Sequence, residues 1–344
     1  MKANIYIYIG GLVIGCVFGA LLFQYNSPPD TSFVSKWHDL KRKGKSNGGS
    51  EKATTEYNKT DTNHRFMLSV LRQGRLGNGM SQYSALLGLA NLTNRIPILN
   101  PGYRDLAQIF TISTPVQNRL ESNKTFYRLG RKAPDVPLTV EAATQALRNI
   151  SQNVMLEGYF QNFRFFSPVS KKIRKEFTFK KNIRRQVSRF FKHHNFTEKN
   201  VTKVGIHVRR TDLNTPSRMA QGFGCPPPTY FINAMKFFRN KYLDVHFVIC
   251  SDDMHWTREH IKGDDVTFVS NNPPEVDMAI MTSCDHVIIS NGSFSWWIGW
   301  LCRGTTVRYE QIPKYNTRLY NMTSGGIWPP DDIYNHYVAI DSDE

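Results

Sequence analysis

Residues 204–212 read VGIHVRRTD, an apolar run that ends in two adjacent arginines, a threonine and an aspartate. The run fits a buried β-strand, in which neighbouring side chains point to opposite faces. Ile206 and Val208 then share one face, and His207 and Arg209 the other. Two guanidinium groups fall at the strand's C-terminal end, where open α/β sheets bind ligands. Arginine offers a planar fork of donors that matches phosphate oxygens. The stretch reads as a clamp for an anion such as a pyrophosphate, or else as a structural strand with an Arg–Asp pair at its edge.

The chain beyond it repeats the pattern. A strand is expected at 245–250 (VHFVIC), ending in Ser251, Asp252 and Asp253, and another at 285–290 (DHVIIS), ending in Asn291, Gly292 and Ser293. Short strands at 266–269 and 306–309 and helices at 230–240, 256–261, 275–282 and 296–302 fill the gaps. Alternating strands and helices imply a parallel sheet covered on both faces. Strand C-termini of one parallel sheet lie along one edge, so Arg209, Arg210 and Asp212 should meet Ser251, Asp252 and Ser293 there. Ser293 at a helix start would add backbone N–H groups suited to phosphate.

Upstream, a strand at 66–71 (FMLSVL) precedes a glycine-containing turn at 73–82 (QGRLGNGMSQ) and a helix at 83–92. The turn lacks the G-K-[ST] of a P-loop, and Gly74, Gly77 and Gly79 are wrongly spaced for a dinucleotide fingerprint. Strand 96–99 and helix 140–150 follow. Residues 154–166 (VMLEGYFQNFRFF) suit a strand running into an aromatic loop. The aromatic rings there, with Gln161, Asn162 and Arg164, are candidates for a sugar site; ordinary core packing of Tyr159, Phe160, Phe163 and Phe166 is the alternative. The basic helix expected over 183–191 is read as a solvated face, because no nucleic-acid motif accompanies it.

The 344 residues are enough for two domains, and a net charge of +16 calls for an anionic partner: nucleic acid, membrane surface or nucleotide phosphate. Five cysteines without a C-x-x-C pair exclude a disulfide scaffold and a zinc site. Residues 5–23 carry no charge and match the roughly 20 apolar residues of a membrane-spanning helix. They are expected to be an uncleaved anchor behind a tail at 1–4, followed by a polar stem at 24–63 and folded domains at 64–200 and 201–344. N-x-S/T sequons at Asn58, Asn123, Asn149, Asn195, Asn200 and Asn321 suit a secretory-pathway protein; those at Asn91 and Asn291 fall in segments expected to be buried. In that compartment Cys225, Cys250, Cys284 and Cys302 could form up to two disulfides, unless Cys250 and Cys284 are core thiols. The D-x-D at Asp341 and Asp343 is read as solvated tail, so no metal site is expected.

Five motifs occur in order: GRLGN at 74–78, GYFQNFRFF at 158–166, HVRRTD at 207–212, SDD at 251–253 and SNGSFSWW at 290–297. Together they resemble the α-1,2-fucosyltransferases of glycosyltransferase family 11, over roughly residues 65–308. The resemblance implies an α/β fold of GT-B type, with two facing Rossmann-like domains behind a transmembrane helix and stem. It implies inverting, metal-independent transfer from GDP-β-L-fucose to a terminal β-galactoside, no cofactor, and a type II Golgi anchor. The implied partners are GDP-fucose, a galactose-containing glycan and the membrane, not nucleic acid. Arg209, Arg210, Ser251, Asp252, Ser293 and Phe294 would face the donor. Arg209, Asp212, Asn78 and His207 are the catalytic candidates, with Arg75, Tyr159, Gln161 and Asn162 on the acceptor side. GRLGN also resembles a loop of protein O-fucosyltransferases whose asparagine lies at the reaction centre, which singles out Asn78. Thr211, Gly79, Ser81 and Ile298 depart from the family pattern without removing a charged group, and bear on acceptor choice. A catalytically inactive, membrane-anchored glycan-binding or scaffold protein, or a fucosyltransferase of another linkage, is the competing reading.

Overall fold

A computed structural model of the chain describes residues 65–118, 126–130, 139–196, 201–311, 314, 316–323 and 337–340. The expected anchor, the stem, Asn58, Asn123, Asn200, Asp341 and Asp343 lie outside the described residues. Among the described residues no helix is long and apolar enough to cross a membrane.

Two parallel sheets carry the chain. In the first, β1 (Met67–Val70) lies between β2 (Ile96–Pro97) and β4 (Asn153–Glu157), and β3 (Phe126–Gly130) closes the far edge. Helix α1 (Leu76–Thr93) follows β1, α2 (Arg104–Ile109) follows β2, and α3 (Val140–Asn149) precedes β4. Helices α4 (Ser170–Glu176) and α5 (Lys181–His193) lead out of this half.

The second sheet has six strands: β5 (Thr202–Val208), β6 (Val245–Ser251), β7 (Val266–Phe268), β8 (His286–Ile289), β9 (Thr306–Tyr309) and β10 (Tyr337–Ile340). Between them run α6 (Pro216–Ala220), α7 (Pro228–Lys241), α8 (Met254–His260), α9 (Pro274–Thr282), α10 (Ser293–Leu301) and α11 (Arg318–Thr323). The spatial order is β10-β9-β8-β5-β6-β7, all parallel. The chain starts in the middle, winds one way through β6 and β7, and then the other way through β8 to β10. Strands β5 and β8 therefore flank the point where the winding reverses, and ligands of doubly wound sheets bind outside the strand ends there.

One face of β5 packs Val204, Ile206 and Val208 against Tyr230, Phe231 and Phe238 of α7. On the other side of the sheet, α9 and α10 join a core that continues through Trp297 and Ile298 to Leu68, Met80 and Leu86 of the first half. Helix α1 is buried nearly all round, from Gly77 to Ala90, as befits a helix packed between layers. The Trp297 indole N–H donates to Gly77 O (3.0 Å) and lies 3.1 Å from Ser81 Oγ, which pins α10 to α1.

Three expectations change. Residues 73–82 are not mainly a turn, because α1 begins at Leu76 and takes in Gly77 and Gly79. A β-carbon on Gly77 would lie 2.7 Å from Phe294 N and 2.8 Å from Ser293 C, so this glycine allows two backbones to touch. The four cysteines are free thiols, with Cys250, Cys284 and Cys302 buried and Cys225 half-buried, so no disulfide joins them. Asn91 is exposed on the last turn of α1, whereas Asn291 is buried as expected. Phe160, Phe165 and Phe166 are core residues. Helix α5 buries Ile183, Val187 and Phe191 and leaves Arg184, Arg185 and Arg189 exposed.

Candidate active site

The end of β5 is held from three sides. Ser290, at the end of β8, accepts the backbone N–H of Arg209 on its hydroxyl (2.9 Å). Asp252, after β6, accepts the backbone N–H of Arg210 (2.8 Å) and the hydroxyl of Thr211 (2.7 Å). Both oxygens of Asp252 are thus engaged in aiming the paired arginines. Ser251 serves its own turn, accepting from Asp253 N at 2.9 Å with Thr257 Oγ1 at 2.8 Å.

The two guanidinium groups diverge. Arg209 turns toward α10 and grips Asp212 with Nε (3.0 Å) and Nη2 (2.7 Å). Arg75, at the mouth of α1, reaches the same carboxylate at 3.0 Å. Hydrogen bonding from Arg209, reinforced by the charges of Arg209 and Arg75, holds the Asp212 carboxyl below the usual carboxylate range. A carboxylate gripped in this way is a weak proton acceptor. Arg210 turns the opposite way, toward β6, and its Nε points at Asp253 (3.4 Å).

The start of α10 supplies the wall. Gly292 has φ of 100°, a conformation open to glycine, and no side chain caps the helix. Ser293 donates its hydroxyl to Asn78 Oδ1 (2.8 Å), which also accepts from Gln161 Nε2 (2.6 Å). With Oδ1 doubly engaged, the Asn78 amide nitrogen is its remaining donor. No side chain caps α1 either, so two positive helix ends meet at Asn78 and Ser293. Arg72 steadies the approach to α1, donating to Gln73 O and Gly74 O at 2.9 Å each and pairing with Asp105.

His207 lies behind this surface. It is buried, its Nδ1 is 2.6 Å from Ser295 Oγ, and its ring packs on Phe294. Burial pushes its pKa down to about 4, with the charge of Arg209 acting in the same direction against Asp252. A ring so placed is neutral and turned into the sheet, so it braces the Ser290–Ser295 turn.

The sequence profile of glycosyl transferase family 11 matches residues 40–321. This chain belongs to glycosyltransferase family 11. Among family relatives, galactoside alpha-(1,2)-fucosyltransferase 1 of Rattus norvegicus is 31% identical over 68% of this chain and 63% of its own length. Galactoside 2-alpha-L-fucosyltransferase Sec1 of Mus musculus is 29% identical over 80% of this chain and 74% of its own. A solved fucosyltransferase, NodZ from Bradyrhizobium, covers 70% of this chain and 94% of its own at 16% identity with a TM-score of 0.47, a likeness too loose to argue from.

In this family 11 chain, Arg209, Asp212 and Arg75 form one bonded group and Asn78, Gln161 and Ser293 another, with Phe294 following Ser293, while the Arg210 side chain turns away to Asp253. Tyr159 stands exposed, and Asn162 caps its own turn by accepting from Arg164 N (2.9 Å). Sequence reasoning missed Ser290, Ser295 and Arg72, and took Thr211 only as a departure from the family pattern, not as a partner of Asp252. Arg72 follows β1, so the strand-end rule applied to Arg209 would have found it; the serines gave no signal beyond lying in SNGSFS. Among the described residues no cluster of His, Cys, Asp or Glu is placed to hold a metal ion.

Proposed function

We propose that this chain transfers L-fucose from GDP-β-L-fucose to the 2-hydroxyl of a terminal β-galactoside, with inversion and without a metal. The observation that carries this is the seating of Arg209 against the uncapped start of α10 where the second sheet's winding reverses, with Arg210 next to it at the same strand end. That geometry suits a diphosphate, and the relatives are named for fucosyl transfer to galactosides. The two sheets are read as the Rossmann-like domains of a GT-B fold, with the donor on the second and the acceptor on the first. Residues 5–23 are read as the anchor of a type II Golgi protein, and the exposed Asn149 and Asn195 as glycan carriers.

In the reaction the acceptor oxygen forms its bond to the anomeric carbon while the bond from that carbon to the diphosphate breaks. The electron pair leaves with GDP, so negative charge grows on the phosphates. The arginines and the helix ends strengthen their contact as it grows, which is electrostatic catalysis. Asn78, fixed through Oδ1, offers N–H to a sugar or phosphate oxygen. Neither His207 nor Asp212 suits a strong base here. A loose transition state lets the acceptor proton leave late, to water or to the departing diphosphate.

The test is a screen of donors and acceptors with the full chain, followed by linkage determination. An α-1,2-fucosylated galactoside formed in the presence of EDTA is expected. Binding of a β-galactoside without turnover of any nucleotide sugar would instead support the inactive, glycan-binding reading.

A further inference from the structure

Arg210 differs from Arg209 in what remains free. Arg209 commits Nε and Nη2 to Asp212. Arg210 commits only Nε, to Asp253, and its backbone N–H, to Asp252. Its guanidinium lies over the ring of Trp256 with Cζ 3.7 Å from the centroid, and only 14% of the side chain is exposed. Trp256 is itself fixed. Its backbone N–H donates to Asp253 (3.2 Å), its ring stacks on His260 at 4.5 Å, and its edge meets Phe231 of the core. His260 in turn bonds the Trp256 carbonyl through Nδ1 (2.9 Å).

A guanidinium lying over an aromatic ring has its plane set by that ring, and its donors point outward from the edge. With Nε held by Asp253, the edge left to a ligand is the pair of terminal nitrogens. We infer that Trp256 is a positioning residue for the donor: it sets the plane of Arg210, so that the Nη1–Nη2 edge meets a nucleoside diphosphate two oxygens at a time. The inference rests on the proposed donor site. It divides the labour of the arginine pair, giving the preformed fork to Arg210 and the rigid Arg209–Asp212 unit to the wall beside α10. Lysine in place of Arg210 would keep the charge and lose both the stacked plane and the fork.

The test measures GDP binding by calorimetry on the full chain, with a double-mutant cycle. Wild type must bind GDP; if it does not, the donor-site reading fails, and this inference with it. Given binding, Trp256→Leu is expected to weaken it about tenfold, and Trp256→Phe, which keeps a ring, less than about threefold. Arg210→Ala should weaken binding more, and adding Trp256→Leu to it should change little further. The KM for acceptor should stay unchanged in Trp256→Leu, which a general loosening of the fold would not allow. Losses that simply multiply in the double variant would overturn the inference. Should Trp256→Leu fold poorly, Arg210→Lys decides the matter: it should bind GDP as weakly as Arg210→Gln, and wild-type affinity in Arg210→Lys would overturn the assignment.

Discussion

The guanidinium of Arg209 occupies the space that a β-carbon on Gly292 would need. The glycine's φ of 100° and the seat of the arginine are therefore one feature. Gly292→Ala should leave the sheets intact but push Arg209 off Asp212. A fall in kcat/KM of about 10²–10³ is expected, the loss typical of a missing donor to a developing anion. Steady-state kinetics beside a thermal melt checks this; full activity would show that Arg209 needs no fixed seat.

Arg209→Ala should abolish transfer and leave the fold, because the side chain contributes to the site and not to either core. Asp212→Asn should be milder, since it loosens Arg209 and Arg75 without removing them. The Asp212 carboxyl is held below its ordinary value of 3.8, so its contribution to stability is present above that pH and is lost as pH falls further. The difference in melting temperature between wild type and Asp212→Asn should therefore shrink in strong acid.

His207 is neutral and buried, with its pKa lowered from 6.5 to about 4. Between those values the unfolded chain binds a proton that the folded chain does not, so stability rises with pH across that window. The contribution is complete above about pH 6.5 and is lost on acidification, on the order of 3 kcal/mol in all. His207→Gln should flatten the dependence of denaturant stability on pH between 4 and 6.5. It should leave the pH profile of kcat unchanged; loss of an ionisation from that profile would restore His207 as a base.

Gly77→Ala should separate α1 from α10. Its β-carbon would meet Phe294 N at 2.7 Å and Ser293 Oγ at 2.9 Å, and the backbone there cannot rotate away. Overpacking of this kind costs about 1–3 kcal/mol. Both the melt and the activity should fall, because the Asn78–Ser293 bond lies at the same contact.

The strands of the second sheet were readable because β5, β6 and β8 are continuous apolar runs, as strands buried on both faces must be. Strands β3 and β10 were not seen. β3 is an edge strand whose Tyr127 is 48% exposed, so its sequence, FYRLG, need not alternate or stay apolar. Glycine misled at 73–82: read as turn punctuation, it marks in Gly77 a close approach inside a helix. The polar strand ends at Arg209, Ser251 and Ser293 followed from topology alone. What each then bonds to did not, because Asn78 meets Gln161 and Ser293 through contacts that no local pattern encodes.

The hydrogen bond between Ser293 and Asn78 joins residues 215 positions apart. During synthesis the first sheet and most of the second emerge before that partner does. A ribosome that stopped between Arg210 and Ser293 would release a chain with both arginines and neither the α10 wall nor the indole that locks α1. The site is therefore assembled only after both sheets' central strands and α10 have been made. Nicking between 157 and 202, after β4 and before β5, would leave every strand pairing within each sheet intact and remove the covalent link between the two walls.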